Sequence, residues 1–192
     1  MKTPLRYQVT ESDCGTASLI NAISYLFERE EIPAELIKLI NLYTLDSYDD
    51  DGNMGGGGTS QHSMMFFTQW LDGYSMTKKF DIMSERIVTE NITIDIMKDC
   101  IKDNGVILMR CWQEYEHYVI ITKIDKKYIY IFDPYYLEEN EYDNDTEVEI
   151  VTDSPFTHNR IVSIKRVFEE SQEDFSLGKI ENRECVLISK KK

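Results

Sequence analysis

The sequence has few basic residues and no long apolar run. Its 21 lysine and arginine residues face 35 aspartate and glutamate residues, which gives a formal net charge of −14. Such a surface repels phosphate backbones and anionic lipid, so binding to nucleic acid or to a membrane surface is disfavoured. No stretch approaches the ~18 apolar residues of a membrane span, and residues 1–8 lack the apolar core of a secretory signal. We therefore expect a cytoplasmic protein with no membrane segment.

The sequence also lacks the close cysteine or histidine pairs that bind metals. The four cysteines form no C-x-x-C pair, and the three histidines form no H-x-x-x-H pattern. Residues 49–53 depart from the calcium-binding pattern of an EF-hand. We expect free thiols, no metal and no cofactor. The alternative is a metal site built from His62, His117, His158 or the acidic loops.

The chain length and the order of elements define the expected fold. With 192 residues, 42% of them apolar, the chain is long enough for one domain and short for two, so a single domain over residues 1–192 is expected. Apolar periodicity predicts helices over 14–29, from 33 onward, from 59 or 60 to the glycine at 73, and over 93–103. Strands are predicted near 76–82, 106–109, 118–123, 127–132, 147–151, 160–167 and 184–189. Helices first and strands last predict the α+β class, with N-terminal helices packed on an antiparallel sheet.

Cys14 is a candidate nucleophile because of its position. Asp13 stands where a helix cap would, so Cys14 falls in the first turn of the first predicted helix. The positive end of the helix dipole and the unpaired N–H groups there stabilise a thiolate and lower the pKa of the thiol. Gly15 keeps the approach to the sulfur open. The alternative reading is a small buried hydrophobic residue.

His117 and Asp133 are predicted to face each other across a hairpin. Residues 117–123 and 127–133 read as two strands joined by a tight turn around Asp125. If residues whose numbers sum to 250 pair, His117 lies opposite Asp133, with Cβ atoms roughly 5 Å apart. The carboxylate would then accept the imidazole Nδ1–H and leave Nε2 for a thiol. A shift of one residue would place them on opposite faces.

Gln8 lies six residues before Cys14 in an extended stretch. Its amide is a candidate donor to an oxyanion, beside the backbone N–H of Cys14. The rival bases are weaker candidates, because neither His62 nor His158 starts a strand that faces an acid.

Taken together, several short motifs resemble the bacteriocin-processing peptidases, which are papain-like domains that cut leader peptides after a double glycine. The motifs, within roughly residues 5–136, are Gln8, Asp13-Cys14-Gly15, Gly58-Thr59-Ser60, His117-Tyr118-Val119 and Asp133-Pro134. The resemblance implies a papain-like cysteine peptidase with Cys14 as nucleophile, His117 as base, Asp133 as orienting acid and Gln8 as oxyanion donor. It also implies a peptide or protein substrate, such as a leader peptide with a small residue before the cut.

The sequence departs from this family pattern in two respects. The members are usually fused to an ABC exporter, whereas this chain has no Walker motif and no spanning helix, so a transporter partner would be a separate protein. Residues 137–192 match nothing in the pattern. Two alternatives therefore remain open: an acyl transferase that uses the same three residues, and a catalytically silent binding or regulatory module.

Two acidic stretches are expected near the active-site end. Residues 46–51 carry four carboxylates and residues 138–149 carry seven. They are predicted to attract a basic peptide, with the four glycines at 55–58 acting as a hinge between loop and helix. The alternative is that both are solvated loops without a role.

Overall fold

The computed structural model describes residues 1–78, 80–137, 142 and 144–191. The helices are α1 (Cys14–Leu26), α2 (Ala34–Tyr43), α3 (Gln61–Lys78), α4 (Ile94–Lys102) and α5 (Ile164–Phe168). The strands are β1 (Ile82–Val88), β2 (Val106–Gln113), β3 (Tyr115–Ile124), β4 (Tyr128–Phe132), β5 (Val148–Ile150), β6 (Arg160–Ser163) and β7 (Glu184–Lys190). In this part of the chain, no helix combines the length and the apolar character that crossing a bilayer requires.

The strands form one antiparallel sheet in the order β1-β7-β2-β3-β4-β6-β5. Helix α1 packs on β2 and β3, and α3 packs on β1, which buries one face of the sheet under the N-terminal helices. Helix α4 packs on β2, β3 and β7, and a second apolar core covers that face. The α+β class and the antiparallel sheet are therefore confirmed.

Helix α1 is buried on all sides rather than on one broad face. Every residue in it except Tyr25 is buried, including the polar residues Thr16, Ser18, Asn21 and Ser24. The Thr16 and Thr44 hydroxyls are 2.6 Å apart, Ser18 Oγ donates to the Tyr118 carbonyl, and Asn21 Nδ2 donates to the Arg6 carbonyl. These bonds make the burial of polar atoms tolerable. The bond from Ser18 to Tyr118 also holds the helix that begins at Cys14 against β3.

The first helix begins as predicted but is not capped as predicted. Asp13 occupies the N-cap position, yet its side chain makes no cap bond and instead accepts the backbone N–H groups of Val9 and Thr10. Asp13 thus organises the turn before the helix and leaves the first N–H groups of α1 to other partners.

Two boundaries predicted from single residues are wrong. Gly73 does not end α3, which continues to Lys78, so the strand predicted at 76–82 begins only at Ile82. The reason is that Leu71, Tyr74 and Ser75 stay buried and carry the packed face past the glycine.

The strand predicted at 160–167 is also too long. It ends at Ser163, directly before α5, because Ser163 Oγ accepts the Arg166 N–H and caps that helix.

The four glycines of the predicted hinge lie in a loop over residues 46–58 that is closed on itself by hydrogen bonds. The Ser47 carbonyl accepts the N–H groups of Gly55 and Gly57, and Ser12 Oγ donates to the Gly56 carbonyl. A Cβ on Gly57 would lie 2.5 Å from the Tyr48 carbonyl oxygen. The glycines are therefore required by close backbone contacts, and the loop has a defined conformation.

Two glycine-to-alanine variants test whether the loop glycines are required by close backbone contacts. Gly57→Ala should lower the free energy of unfolding by about 1–3 kcal/mol, because the new methyl group meets backbone that cannot move easily. Gly73→Ala is the matched control: its Cβ meets nothing within 4 Å. Inside α3 it should raise the free energy of unfolding by about 0.5–1 kcal/mol. Urea denaturation measures both, and equal effects would contradict a close-packed glycine loop.

Candidate active site

Cys14 lies where two cavities meet. It is the first residue of α1 and 7% exposed. One cavity, of about 440 Å³, is lined on the far side by the tip of the β2–β3 hairpin. The other, of about 700 Å³, is lined by the glycine loop. Cys14, Glu11, Tyr115 and Glu116 line both, so the thiol lies in the middle of a continuous cleft.

His117 and Asp133 are in contact, as predicted. His117 Nε2 lies 2.8 Å from Asp133 Oδ1, and the two side chains are 9% and 0% exposed. His117 lines the smaller cavity together with Cys14. The three residues predicted from sequence therefore meet at one end of the sheet.

The register used to predict this contact is wrong. On the site side of the hairpin, Ile120 pairs with Phe132 and Ile121 with Ile131, so paired numbers sum to 252 rather than 250. In the same register, residue 133, which directly follows β4, lies opposite residue 119 of β3. His117 is two residues from 119 on the same strand and is therefore a diagonal neighbour of Asp133. Because 117 and 119 share a face of β3, the side chains still meet.

The predicted use of the two imidazole nitrogens is also wrong. Nε2, not Nδ1, faces the carboxylate of Asp133. Nδ1 is therefore the nitrogen left for the Cys14 thiol. The exchange leaves the chemistry available to the ring unchanged, since either nitrogen of an imidazole can hold or release a proton.

The surroundings of Asp133 were not predicted. Its Oδ1 also accepts the Tyr135 N–H at 2.9 Å, and its Oδ2 accepts Gln113 Nε2 at 3.2 Å. Arg160 Nη2 lies 3.5 Å from the same Oδ2. The Asn159 side chain holds the backbone of Asp133, accepting its N–H and donating to its carbonyl, both at 2.8 Å.

These contacts assign a role to part of the C-terminal segment. Asn159 directly precedes β6, and Arg160 is its first residue. Both lie within residues 137–192, for which the sequence motifs gave no role. No local motif could have found them, because they reach Asp133 only through the pairing of β6 with β4.

Burial and charge shift the pKa values of the three groups. Burial alone would raise the pKa of the Cys14 thiol. The hydrogen bond and charge of His117, and the N–H groups of Tyr118 and Gly15, lower it below its usual value. Burial alone would lower the pKa of His117, but Asp133 and Cys14 raise it to about 10. Burial would raise the pKa of Asp133, but His117 and Arg160 lower it. The favoured state is a thiolate beside an imidazolium beside a carboxylate.

Gln8 lines the smaller cavity with Cys14, as an oxyanion donor must. Its Nε2, however, donates to the carbonyls of Thr10 and Glu11, at 3.0 and 3.3 Å. Its Oε1 is buried and has no hydrogen-bond partner among the described residues. In this conformation the amide N–H groups point at the loop before α1 rather than into the cleft.

The rival histidines lie elsewhere. His62 is exposed in the first turn of α3. His158 Nδ1 bonds to Thr157 Oγ1 at 2.9 Å, and its ring packs edge-on against Tyr130. Neither lines the cleft around Cys14. Within the described ranges, no three acidic, cysteine or histidine side chains are grouped to hold a metal ion.

Comparison with known proteins finds a similar solved structure but no matching family or curated protein. A solved structure described as "Crystal structure of a double glycine motif protease from AMS/PCAT transporter in complex with the leader peptide" is similar at 15% identity. The match covers 98% of this chain and 92% of that one, with a TM-score of 0.46. A likeness of this size decides neither the family nor the chemistry.

Selective alkylation tests the electrostatics of the site. Burial raises the pKa of Cys100 to about 11, and it raises the pKa values of Cys111 and Cys185 well above the usual range. At pH 6.5 we expect iodoacetamide to modify Cys14 at least about tenfold faster than these three thiols, because only the thiolate reacts. Mass spectrometry of the folded protein maps the modified sites.

The control is His117→Ala, which removes the cation beside the sulfur. It should raise the pKa of Cys14 and slow its labelling at pH 6.5. Equal rates at all four cysteines, or no effect of this variant, would contradict the assignment.

Proposed function

We propose that this protein is a papain-like cysteine peptidase, formed as one domain over residues 1–192. Cys14 is the nucleophile, His117 the acid and base, and Asp133 the group that orients the imidazole. The observation that carries the proposal is the position of His117: it lines a cavity with the thiol of Cys14 and bonds a fully buried carboxylate at 2.8 Å. This is the arrangement that nucleophilic catalysis by a thiol requires.

The chemistry proceeds in two steps. The Cys14 thiolate attacks the carbonyl carbon of a peptide bond, and the imidazolium of His117 gives its proton to the leaving amine. The products are a free amine and a thioester on Cys14. Neutral His117 then takes a proton from water as the water oxygen attacks the carbonyl carbon of the thioester. The C–S bond breaks, the carboxylic acid is released, and the Cys14 thiolate and the His117 imidazolium are restored. Asp133 keeps the ring oriented through both steps.

Both steps create a negative oxygen that must be stabilised. Cys14 is the first residue of α1, so its N–H is not needed within the helix and is available to that oxygen. Gln8 is the proposed second donor. Because its amide holds the Thr10 and Glu11 carbonyls, it must turn by a rotation of its side chain when substrate binds.

The proposed substrate is a peptide cut after a small residue, on the model of leader peptides cut after Gly-Gly in bacteriocin processing. The sequence motifs around Cys14, His117 and Asp133 support this part, and a separate transporter would be the partner. We further propose a cytoplasmic location, which agrees with four cysteines that are all unpaired.

The charge of the cleft supports a basic peptide, although not through the predicted stretches alone. In the first stretch, Asp46 bonds to Ser60 and Asp49 bonds to Asn53, so both build the loop. In the second stretch, residues 138–141 and 143 lie outside the described residues, and Asp145 pairs with Arg166. The cleft itself is lined by further carboxylates, at Glu11, Glu114, Glu116 and Asp174. Of these, Glu116 pairs with Arg110.

Variants of the three central residues test the mechanism. Cys14→Ala should abolish cleavage of a Gly-Gly peptide. Asp133→Asn should lower kcat by about 10²–10⁴-fold, because the amide no longer holds the imidazolium in the required orientation. Mass spectrometry follows the cleavage by detecting the two peptide fragments, of which the C-terminal one carries a free amine.

Added amine nucleophiles separate the alternatives. Capture of the acyl group by the amine in preference to water would identify an acyl transferase. A Cys14 thiol that resists electrophiles altogether would favour a silent binding module. Full activity of Asp133→Asn would refute the proposed role of the carboxylate.

The electrostatic part is tested by removing two carboxylates from the cleft. The double variant Glu11→Gln, Glu114→Gln should lower kcat/KM for a Lys- or Arg-rich peptide by about twofold to tenfold at low salt, since a weaker negative field attracts the peptide less. The difference should shrink near 1 M salt, where charges are screened beyond about 3 Å.

The control is Glu90→Gln, Asp95→Asn, which removes the same charge from exposed positions outside both cavities. It should leave kcat/KM nearly unchanged. A flat salt response in the unaltered protein, or a preference for acidic peptides, would defeat the electrostatic proposal.

A further inference from the structure

Arg160 is a buried cation directly behind the proposed catalytic carboxylate. It begins β6, where it pairs with Ile131 of β4 and Ile150 of β5, and it is 3% exposed. Its Nη2 lies 3.5 Å from Asp133 Oδ2, on the side of the carboxylate away from His117, which bonds Oδ1. The remaining guanidinium contacts are to backbone: Nη1 donates to the Asn159 carbonyl and Nη2 to the Tyr135 carbonyl.

The proposed reaction changes the charge that faces Asp133. While Cys14 is a thiolate, His117 is a cation and balances the carboxylate. Once His117 has given its proton to the leaving amine, the imidazole is neutral and Asp133, which is fully buried, loses that counter-charge. A buried carboxylate without a cation is strongly disfavoured. In the second step water gives a proton to His117, and an unbalanced Asp133 would tend to take up that proton instead. Arg160 carries a positive charge that does not change during the cycle.

In the described part of the chain, further titratable groups lie around His117, Asp133 and Cys14. Arg110 lines the cleft with Cys14 and pairs with Glu116. Cys14 faces His117 from α1, and Cys111 of β2 pairs with His117 across the sheet. The charge of Asp133 also acts on Cys111 and on Tyr142, whose hydroxyl donates to Asp174. Among the described residues, the main cations that act on Asp133 are His117 and Arg160.

We infer that Arg160 is a positioning residue that keeps Asp133 ionised in both protonation states of His117, and so sets the pH range in which the site works. The inference rests on the proposed function. Its competitor is a purely structural role, in which Arg160 only ties β6 to the carbonyls of Asn159 and Tyr135. A structural role changes how much enzyme is folded but does not move a pH profile.

The test is the pH dependence of Cys14 alkylation by iodoacetamide in three proteins: the unaltered chain, Arg160→Gln and Arg160→Lys. Removing a positive charge makes every nearby group hold its proton more tightly, so Arg160→Gln should move the rise in Cys14 reactivity upward by about 0.5–1 pH unit. Arg160→Lys keeps the charge and should stay within about 0.3 pH unit of the unaltered chain. No peptide substrate is needed.

The outcomes separate this inference from the proposed function. If iodoacetamide does not prefer Cys14 in the unaltered chain, the proposed function fails. If Cys14 is preferred but Arg160→Gln leaves the profile in place, or Arg160→Lys moves it equally, the inference about Arg160 is overturned.

The double variant Asp133→Asn, Arg160→Gln decides the case in which Arg160→Gln does not fold. Recovery of the folded state in the double variant, seen by circular dichroism, shows that the unbalanced charge of Asp133 caused the loss and supports the inference. Failure of the double variant to fold shows that the fold needs the hydrogen bonds from Arg160 to backbone carbonyls. That result overturns the inference.

Discussion

The complete burial of the Asp133 carboxylate is the constraint on which the site depends. A buried carboxylate is tolerated only when charges and hydrogen bonds surround it. Here the donors come from separate parts of the chain: His117 from β3, Gln113 from the end of β2, and Arg160 from β6. The hydrogen bonds and ion pairs of the Asp133 carboxylate therefore join three strands at one end of the sheet. The thiol of Cys14 meets the imidazole because α1 is packed against the same strands.

The contact between His117 and Asp133 was predicted correctly, but for a reason the sequence pattern did not contain. Next to the turn, Lys123 pairs with Tyr130 and the paired numbers sum to 253. That register, continued, would place the two side chains on opposite faces. A bulge between Ile121 and Lys123 changes the sum to 252 and restores the shared face. Periodicity finds strands and their faces, whereas a bulge depends on contacts made elsewhere.

The other features that the sequence does not predict also depend on contacts between distant parts of the chain. The class, the helix that begins at Cys14 and most strands follow from apolar spacing, which is local. A glycine at 73 predicts a helix end, and the buried side chains of Tyr74 and Ser75, which carry α3 further, cannot be seen in the sequence. Arg160 and Asn159 carried no signal, since their partner lies 26 or more residues away and is reached only by strand pairing. The glycine run indicated a loop, but its fixed shape comes from neighbours such as Ser12.

The position of β7 has a consequence for the order in which the molecule can assemble. This strand comes last among the seven, yet it lies between β1 and β2. Its Glu184 is also the buried acceptor of the Tyr118 hydroxyl, and Tyr118 lines the cleft beside Cys14. During translation, β2 keeps an unpaired edge until residues 184–190 have left the ribosome. The wall of the cleft beside Cys14 is thus completed last, so the cleft is not finished until β7 has been synthesised and paired.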